Sequence, residues 1–218
     1  MSGPTDPPHR VSGLPGEPAS VTLAYALGRL RALGTTGLRL VLTRPGDVSG
    51  LPGPPDFNQA AVDAGSAVLA LGAPVGLLLR ARGTWAAYPV ELDRRTPMSM
   101  RDADRHLTST IREAATALDT LEVARWDPSA ALLITTGPRP SQLPSGAPAE
   151  AHELLARAWR LLAITTLAAG SDGAALQSSV MTARRQALGE VAYAARRAVE
   201  AACSAHTSDG SRSGHSDR

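Results

Sequence analysis

Lysine is absent: all 22 basic residues of the chain are arginine. Nucleic-acid binders usually meet phosphate with a clustered excess of lysine and arginine. Here 20 acidic residues leave a net charge of only +2, although the pI is near 9.2. That balance argues against a general phosphate-binding surface. Cysteine is scarce as well. The single Cys203 excludes an intramolecular disulfide and any multi-cysteine zinc site. Aromatic residues make up 3% of the chain, so aliphatic side chains and alanine have to fill the core. No stretch of 18 consecutive apolar residues occurs, and the opening residues are Pro-rich and polar rather than an apolar leader. The expectation is a soluble cytoplasmic protein with no membrane partner.

What is present is enough to fold. Across 218 residues, 43% are hydrophobic and 19% charged, which suits one sizeable core or one domain with a helical appendage. Abundant Ala, Gly, Pro and Arg without lysine point to a high-GC genome as the source.

The predicted fold class is α+β: a small, mostly antiparallel four-stranded sheet with covering helices, plus a C-terminal antiparallel helical hairpin. Residues 1–18 hold five prolines among small polar residues and read as a disordered arm. The α+β domain is predicted over residues 19–136. Its first helix is capped by Ser20, with Leu23, Leu27 and Leu30 at helical spacing and Gly34 as the stop. Residues 38–43 alternate as a strand. A Pro/Gly loop follows, then a helix capped by Asp56 and ended by Gly65. Residues 68–71, 75–80 and 84–90 read as three strands of a meander, with Pro89 at an edge or strand end. Ser99 with Asp102 starts a helix whose stripe runs through Leu107, Ile111, Ala114, Leu118 and Leu121 to about Trp126. The short run 132–135 fits strand and helix equally.

Residues 137–148 read as a Pro/Gly linker. Residues 149–203 form the predicted hairpin, with one stripe of Leu154, Leu155, Ala158, Leu161, Leu162 and Thr165. The other carries Val180, Ala187, Val191, Ala195, Ala198 and Ala202, and alanine there lets two helix axes approach closely. Whether the hairpin packs on the sheet or on another chain is open in sequence. Residues 204–218 read as a disordered tail.

The candidate sites each have a structural alternative. The loop from Arg44 follows a strand and opens a helix, the setting in which glycine-rich loops hold phosphates. Arg44, Gly46, Asp47, Gly50, Phe57 and Asn58 are the ligand-binding candidates. The glycine spacing fits neither phosphate-loop pattern, however, and Pro52, Pro54 and Pro55 remove backbone donors. Asp102 and His106 are one turn apart, with Asp104 between them, but capping accounts for Asp102. Arg101 and Arg105 also oppose a cation there. His152-Glu153 opens like a zinc-protease helix, yet the required second histidine is Ala156. The candidate nucleic-acid or partner surface is Arg184, Arg185, Arg196 and Arg197. Glu190 and Glu200 share that helix and no aromatics interleave, so a solvated face is the simpler reading. Cys203 has no histidine near it in sequence to act as a base. Trp85, Trp126 and Trp159 read as anchors of core edges.

The strand 38–43, the Gly50-Leu51-Pro52-Gly53 turn, Phe57-Asn58 and the Ala-rich arginine helices together resemble conserved Ala/Arg-rich proteins of high-GC Gram-positive bacteria. The resemblance spans about residues 38–202. It implies no activity and carries over no functional residue.

With no converging catalytic or metal set and no cofactor signature, the leading expectation is a non-enzymatic interaction or scaffold protein. It would assemble through its Ala-rich helices with a protein partner or a second copy. The alternative is a binder of, or an enzyme for, a small anionic or phosphate-type molecule, using residues 44–57. A further alternative is nucleic-acid binding through the C-terminal arginines, which the charge balance disfavours.

Overall fold

The computed structural model describes residues 8–120, except 82 and 94, residues 143–170, except 145, and residues 178–204. The chain divides between Thr96 and Pro97 into two compact units.

The first unit is a sheet with a helix on each face. In chain order it contains β1 (Arg10–Ser12), β2 (Val21–Thr22), α1 (Leu23–Ala32), β3 (Gly37–Leu42), α2 (Pro55–Ala64), β4 (Ser66–Leu71), β5 (Val75–Ala81) and β6 (Thr84–Pro89). The strand order is β2-β1-β6-β5-β4-β3. β1 and β6 run parallel and every other pairing is antiparallel. The period-two alternation of strands assigns the faces. Ala67 and Leu69 of β4 and Leu78 of β5 meet Phe57 and Ala61 of α2. Ala70 of β4 and Val75 and Leu77 of β5 meet Ala26 and Leu30 of α1. Both faces are thus covered, which explains why β4 and β5 read as nearly continuous apolar runs.

Two glycines are required by contact. Gly72, at φ +88°, makes the β4–β5 turn, where a Cβ would lie 2.6 Å from the Gly34 carbonyl oxygen. Gly76 lies under the Phe57 ring, with its missing Cβ only 2.6 Å from Cζ.

The sheet differs from the four-stranded antiparallel expectation: it is six-stranded and mixed. The two added strands come from the N-terminal residues. Residues 8–18 of the arm read as disordered are ordered, with Val11 0% and Leu14 2% exposed. A Pro-rich composition reports only local folding tendency. β1 forms because β6, 74 residues downstream by the Arg10–Thr84 pairing, supplies hydrogen bonds and apolar cover. The helix cap moves for the same reason. Ser20 receives Arg10 Nε at 3.2 Å, and Thr22 caps α1, its Oγ1 accepting from Tyr25 N at 3.4 Å. α2 starts on Pro55 after Pro54 without a side-chain cap, in place of the Asp56 cap, and Gly65 ends it in the left-handed region as expected. Pro89 is the last residue of β6, where its missing N–H costs no interior ladder bond.

The second unit holds three helices among the described residues: α3 (Met100–Thr120), α4 (Ala149–Gly170) and α5 (Ser178–Ser204). Ser99 Oγ accepts from Asp102 N at 3.1 Å and donates to the Asp102 carboxylate at 2.6 Å, so α3 begins where its capping pattern stands. α4 and α5 form an antiparallel pair. Arg184, early in α5, donates to the Ala168 carbonyl late in α4, while Leu161 packs near Val191. α3 packs on the same helix α5 through Ile111, Ala114 and Leu118, against Ala187 and Val191. The predicted hairpin therefore has a third member, α3, whose stripe was read with the sheet domain. The run 132–135, the end of the α3 stripe at Leu121 to Trp126, most of the 137–148 linker and residues 205–218 of the tail lie outside the described residues.

Candidate functional site

Among the described residues, charged side chains gather first at the loop after β3. Arg39 alternates with Val41 and Thr43, the latter bonded to the Ala61 carbonyl, so it lies on the face that α2 covers. Its guanidinium donates to the Gly50 carbonyl at 2.8 Å and pairs with Asp93, the two side chains being 9% and 3% exposed. Asp93 also accepts from Arg95 N at 3.2 Å and Nε at 3.1 Å. Burial pushes the Asp93 carboxyl up. The Arg95 bonds together with the charge and bond of Arg39 outweigh that push and hold it below its ordinary value.

Of the predicted ligand residues this clamp uses Gly50, and the others have local roles of their own. Gly50 accepts from Arg39. Asp47 Oδ1 accepts from Ser49 N and Oγ, and the Asp47 amide donates to the Arg44 carbonyl at 2.9 Å. Asn58 Oδ1 accepts from Gly53 N at 3.1 Å. Phe57 is core, at 1% exposure. Gly46 is a turn residue at φ +81°, and the Arg44 residue is exposed. The loop is thus closed on itself. The residues missed in sequence are Arg39 and Asp93. An arginine on the buried register of a strand was the available signal for Arg39; Asp93, 54 positions away, had none.

The C-terminal arginines do not form one exposed patch. Arg185 is exposed, whereas Arg184 bonds to Ala168 and Arg196 and Arg197 are 7% and 8% exposed. Arg197 pairs with Glu200 at 3.0 Å, and both buried arginines lie over the Tyr193 ring, at 5.9 and 5.2 Å from its centroid. Cys203 is partly buried; burial first, then the Glu200 charge, raises its pKa, the direction that disfavours the nucleophilic thiolate. Trp85 donates its indole N–H to His9 Nδ1 at 2.9 Å and packs on the α1-side core, as an anchor would.

The second gathering is a cleft of about 460 Å³ at the starts of α3 and α4, lined by Met100, Arg101, Asp104, Glu150, Glu153, Leu154 and Arg157. It combines parts of two clusters that sequence analysis treated separately. Asp104 pairs with Arg157, which also reaches Thr108 Oγ1 at 3.4 Å, and this bridge ties the two helices together. Asp102 stays at the cap, its carboxyl held low by the Ser99 hydroxyl and then by Arg105. Glu150 occupies the first turn of α4, where an acid complements the helix dipole, and Glu153 follows three residues later. Among the described residues no three His, Cys, Asp or Glu side chains are grouped to hold a metal ion. No described helix is long and apolar enough to cross a membrane.

Comparison with known proteins assigns both halves. Residues 3–103 match the N-terminal domain, and residues 101–200 the C-terminal domain, of Rv1486c-like protein. The match meets near residue 100, close to the division between the two units. It agrees with the resemblance to proteins of high-GC Gram-positive bacteria and brings no activity with it. No curated protein and no solved structure matches the chain.

Proposed function

We propose that this chain, a member of the Rv1486c-like family matched over both of its domains, is a non-enzymatic interaction protein. The sheet unit acts as its scaffold and the helical unit presents the binding surface. The observation that carries this reading is how the reactive types of side chain are used. Arg39 and Asp93 clamp a loop, Asp102 caps a helix, Arg157 and Asp104 join two helices, and Cys203 is partly buried with its thiol pKa raised. These four groups are engaged within the fold and so are not the free nucleophile or base that catalysis requires.

Assembly takes a definite form on this reading. Ala187, Ala194, Ala195, Ala198 and Ala202 of α5 are buried, and Ala187 packs with Ala114 of α3. The alanine stripe therefore brings α5 close to its own neighbours. Contact with a second copy would use the outer stripe of α5, where Tyr193 is 38% exposed. Light scattering across a concentration series tests this. The expected result is a mass of at least two chains that falls towards one in Tyr193→Ala. A mass of one 22.6 kDa chain at every concentration would remove self-assembly.

A further inference from the structure

The α3–α4 cleft holds unspent charge of both signs over an apolar floor. Asp104 and Arg157 neutralise each other within it. Glu150 and Glu153, three residues apart and so on one helix face, are exposed and form no ion pair among the described residues. Arg101 lines the same cleft from the other helix and is exposed; its charge acts on Asp102, but it makes no direct ion pair among the described residues. The dipole of α4 favours Glu150 in its first turn, but that attraction leaves the carboxylate oxygens open to a cation. Leu154, 4% exposed, and Met100 supply the apolar surface. The volume of about 460 Å³ lies in the range of small-ligand sites and accommodates one long side chain with its neighbour. Two carboxylates from α4, a guanidinium from α3 and the hydrocarbon of Leu154 and Met100 complement a dipolar, aliphatic-stemmed group.

We infer that the cleft takes a basic side chain of a partner chain, arginine or lysine, that stands next to a carboxylate residue. This deepens the interaction reading and rests on it. The cation sits between Glu150 and Glu153, its methylene stem lies on Leu154 and Met100, and the adjacent carboxylate meets Arg101. Recognition by exposed charges of this kind is weak for each pair and gains selectivity from requiring both signs at once.

Titration of the full chain with the blocked peptide acetyl-Ala-Arg-Glu-Ala-amide, its Ala-Arg-Ala-Ala counterpart and free L-arginine, followed by isothermal calorimetry, tests the inference. The Arg-Glu peptide should bind best. Glu150→Gln with Glu153→Gln should weaken it about tenfold, the sum of two exposed pairs. Arg101→Gln should weaken the Arg-Glu peptide about threefold and leave its counterpart unchanged. Circular dichroism of each variant, with helix content retained, separates lost binding from lost folding. Heat absent for both peptides at millimolar concentration, or equal binding in the double glutamine variant, overturns the assignment. Free arginine binding as tightly as the peptide also overturns it, since the site would then belong to a free amino acid. Light scattering on Tyr193→Ala reads the interaction proposal separately, so failure of the cleft leaves that result standing.

Discussion

The two units meet the same shortage of aromatics with different cores. In the sheet unit the fully buried large side chains are Phe57, Leu30, Leu69, Leu78, Val11, Val41 and Val75, interlocked on both faces. In the helical unit Leu107 is the large fully buried side chain among the described residues, while Ala103, Ala151, Ala158, Ala194, Ala195, Ala198 and Ala202 are all 0% exposed. A core of large side chains is sensitive to truncation, because each loss opens a cavity. A core of alanine is sensitive to enlargement, because the helix axes already lie close and have no room to take volume. The buried charge of the sheet unit adds a second kind of sensitivity, to loss of one partner of a pair.

The sharpest way to break this contrast is at the large residues. Phe57→Ala is expected to cost about 3–5 kcal/mol in urea unfolding, with hydrogen exchange locating the loss in β3 to β6. An effect below about 1 kcal/mol would mean that the α2 side collapses around the gap.

Removing the Asp93 charge should cost a similar amount. Asp93→Asn leaves Arg39 buried beside a neutral group, expected at about 3–5 kcal/mol at pH 7. Folding favours the ionised carboxyl, whose pKa is lowered. Its contribution is therefore fully present above the unfolded value of about 3.9 and is lost as pH falls through the lower folded value. The gap between Asp93→Asn and the natural chain should narrow below about pH 4. A gap constant down to pH 2 would assign the loss to packing.

The smallest expected effect tests the helical side. Ala187→Leu, placed against Ala114 and Val191, should cost about 1–3 kcal/mol through overpacking. Stabilisation in thermal melts would show spare volume between α3 and α5 and erase the contrast.

Local signals in the sequence were readable where the determinant lies within a few residues. Leu38 to Leu42 alternate, Gly65 closes α2, Ser99 and Asp102 start α3, and the stripes of α4 and α5 pair as a hairpin. What was not readable depends on distant partners. Val11 becomes a strand residue only because Trp85 lies opposite it. Phe57 and Asn58 looked available to a ligand, yet one is held over Gly76 and the other on the Gly53 amide. Arg196 and Arg197 looked like a solvated pair and are buried, because the second half of α5 is covered on sides that its own periodicity does not indicate.

By itself the sequence determined the α+β class, the aliphatic and alanine character of the cores, the absence of an intramolecular disulfide and the starts of α3 and α4. Composition, periodicity and capping are set by neighbours in the chain. Only the tertiary structure decided the six-stranded mixed sheet, the Arg39–Asp93 clamp, the grouping of α3 with α4 and α5, and the meeting of Asp104 and Arg157 with Glu150 and Glu153. Each of those joins residues about 50 or more positions apart, and which partners meet is selected by burial and charge compensation across the fold, not by local pattern.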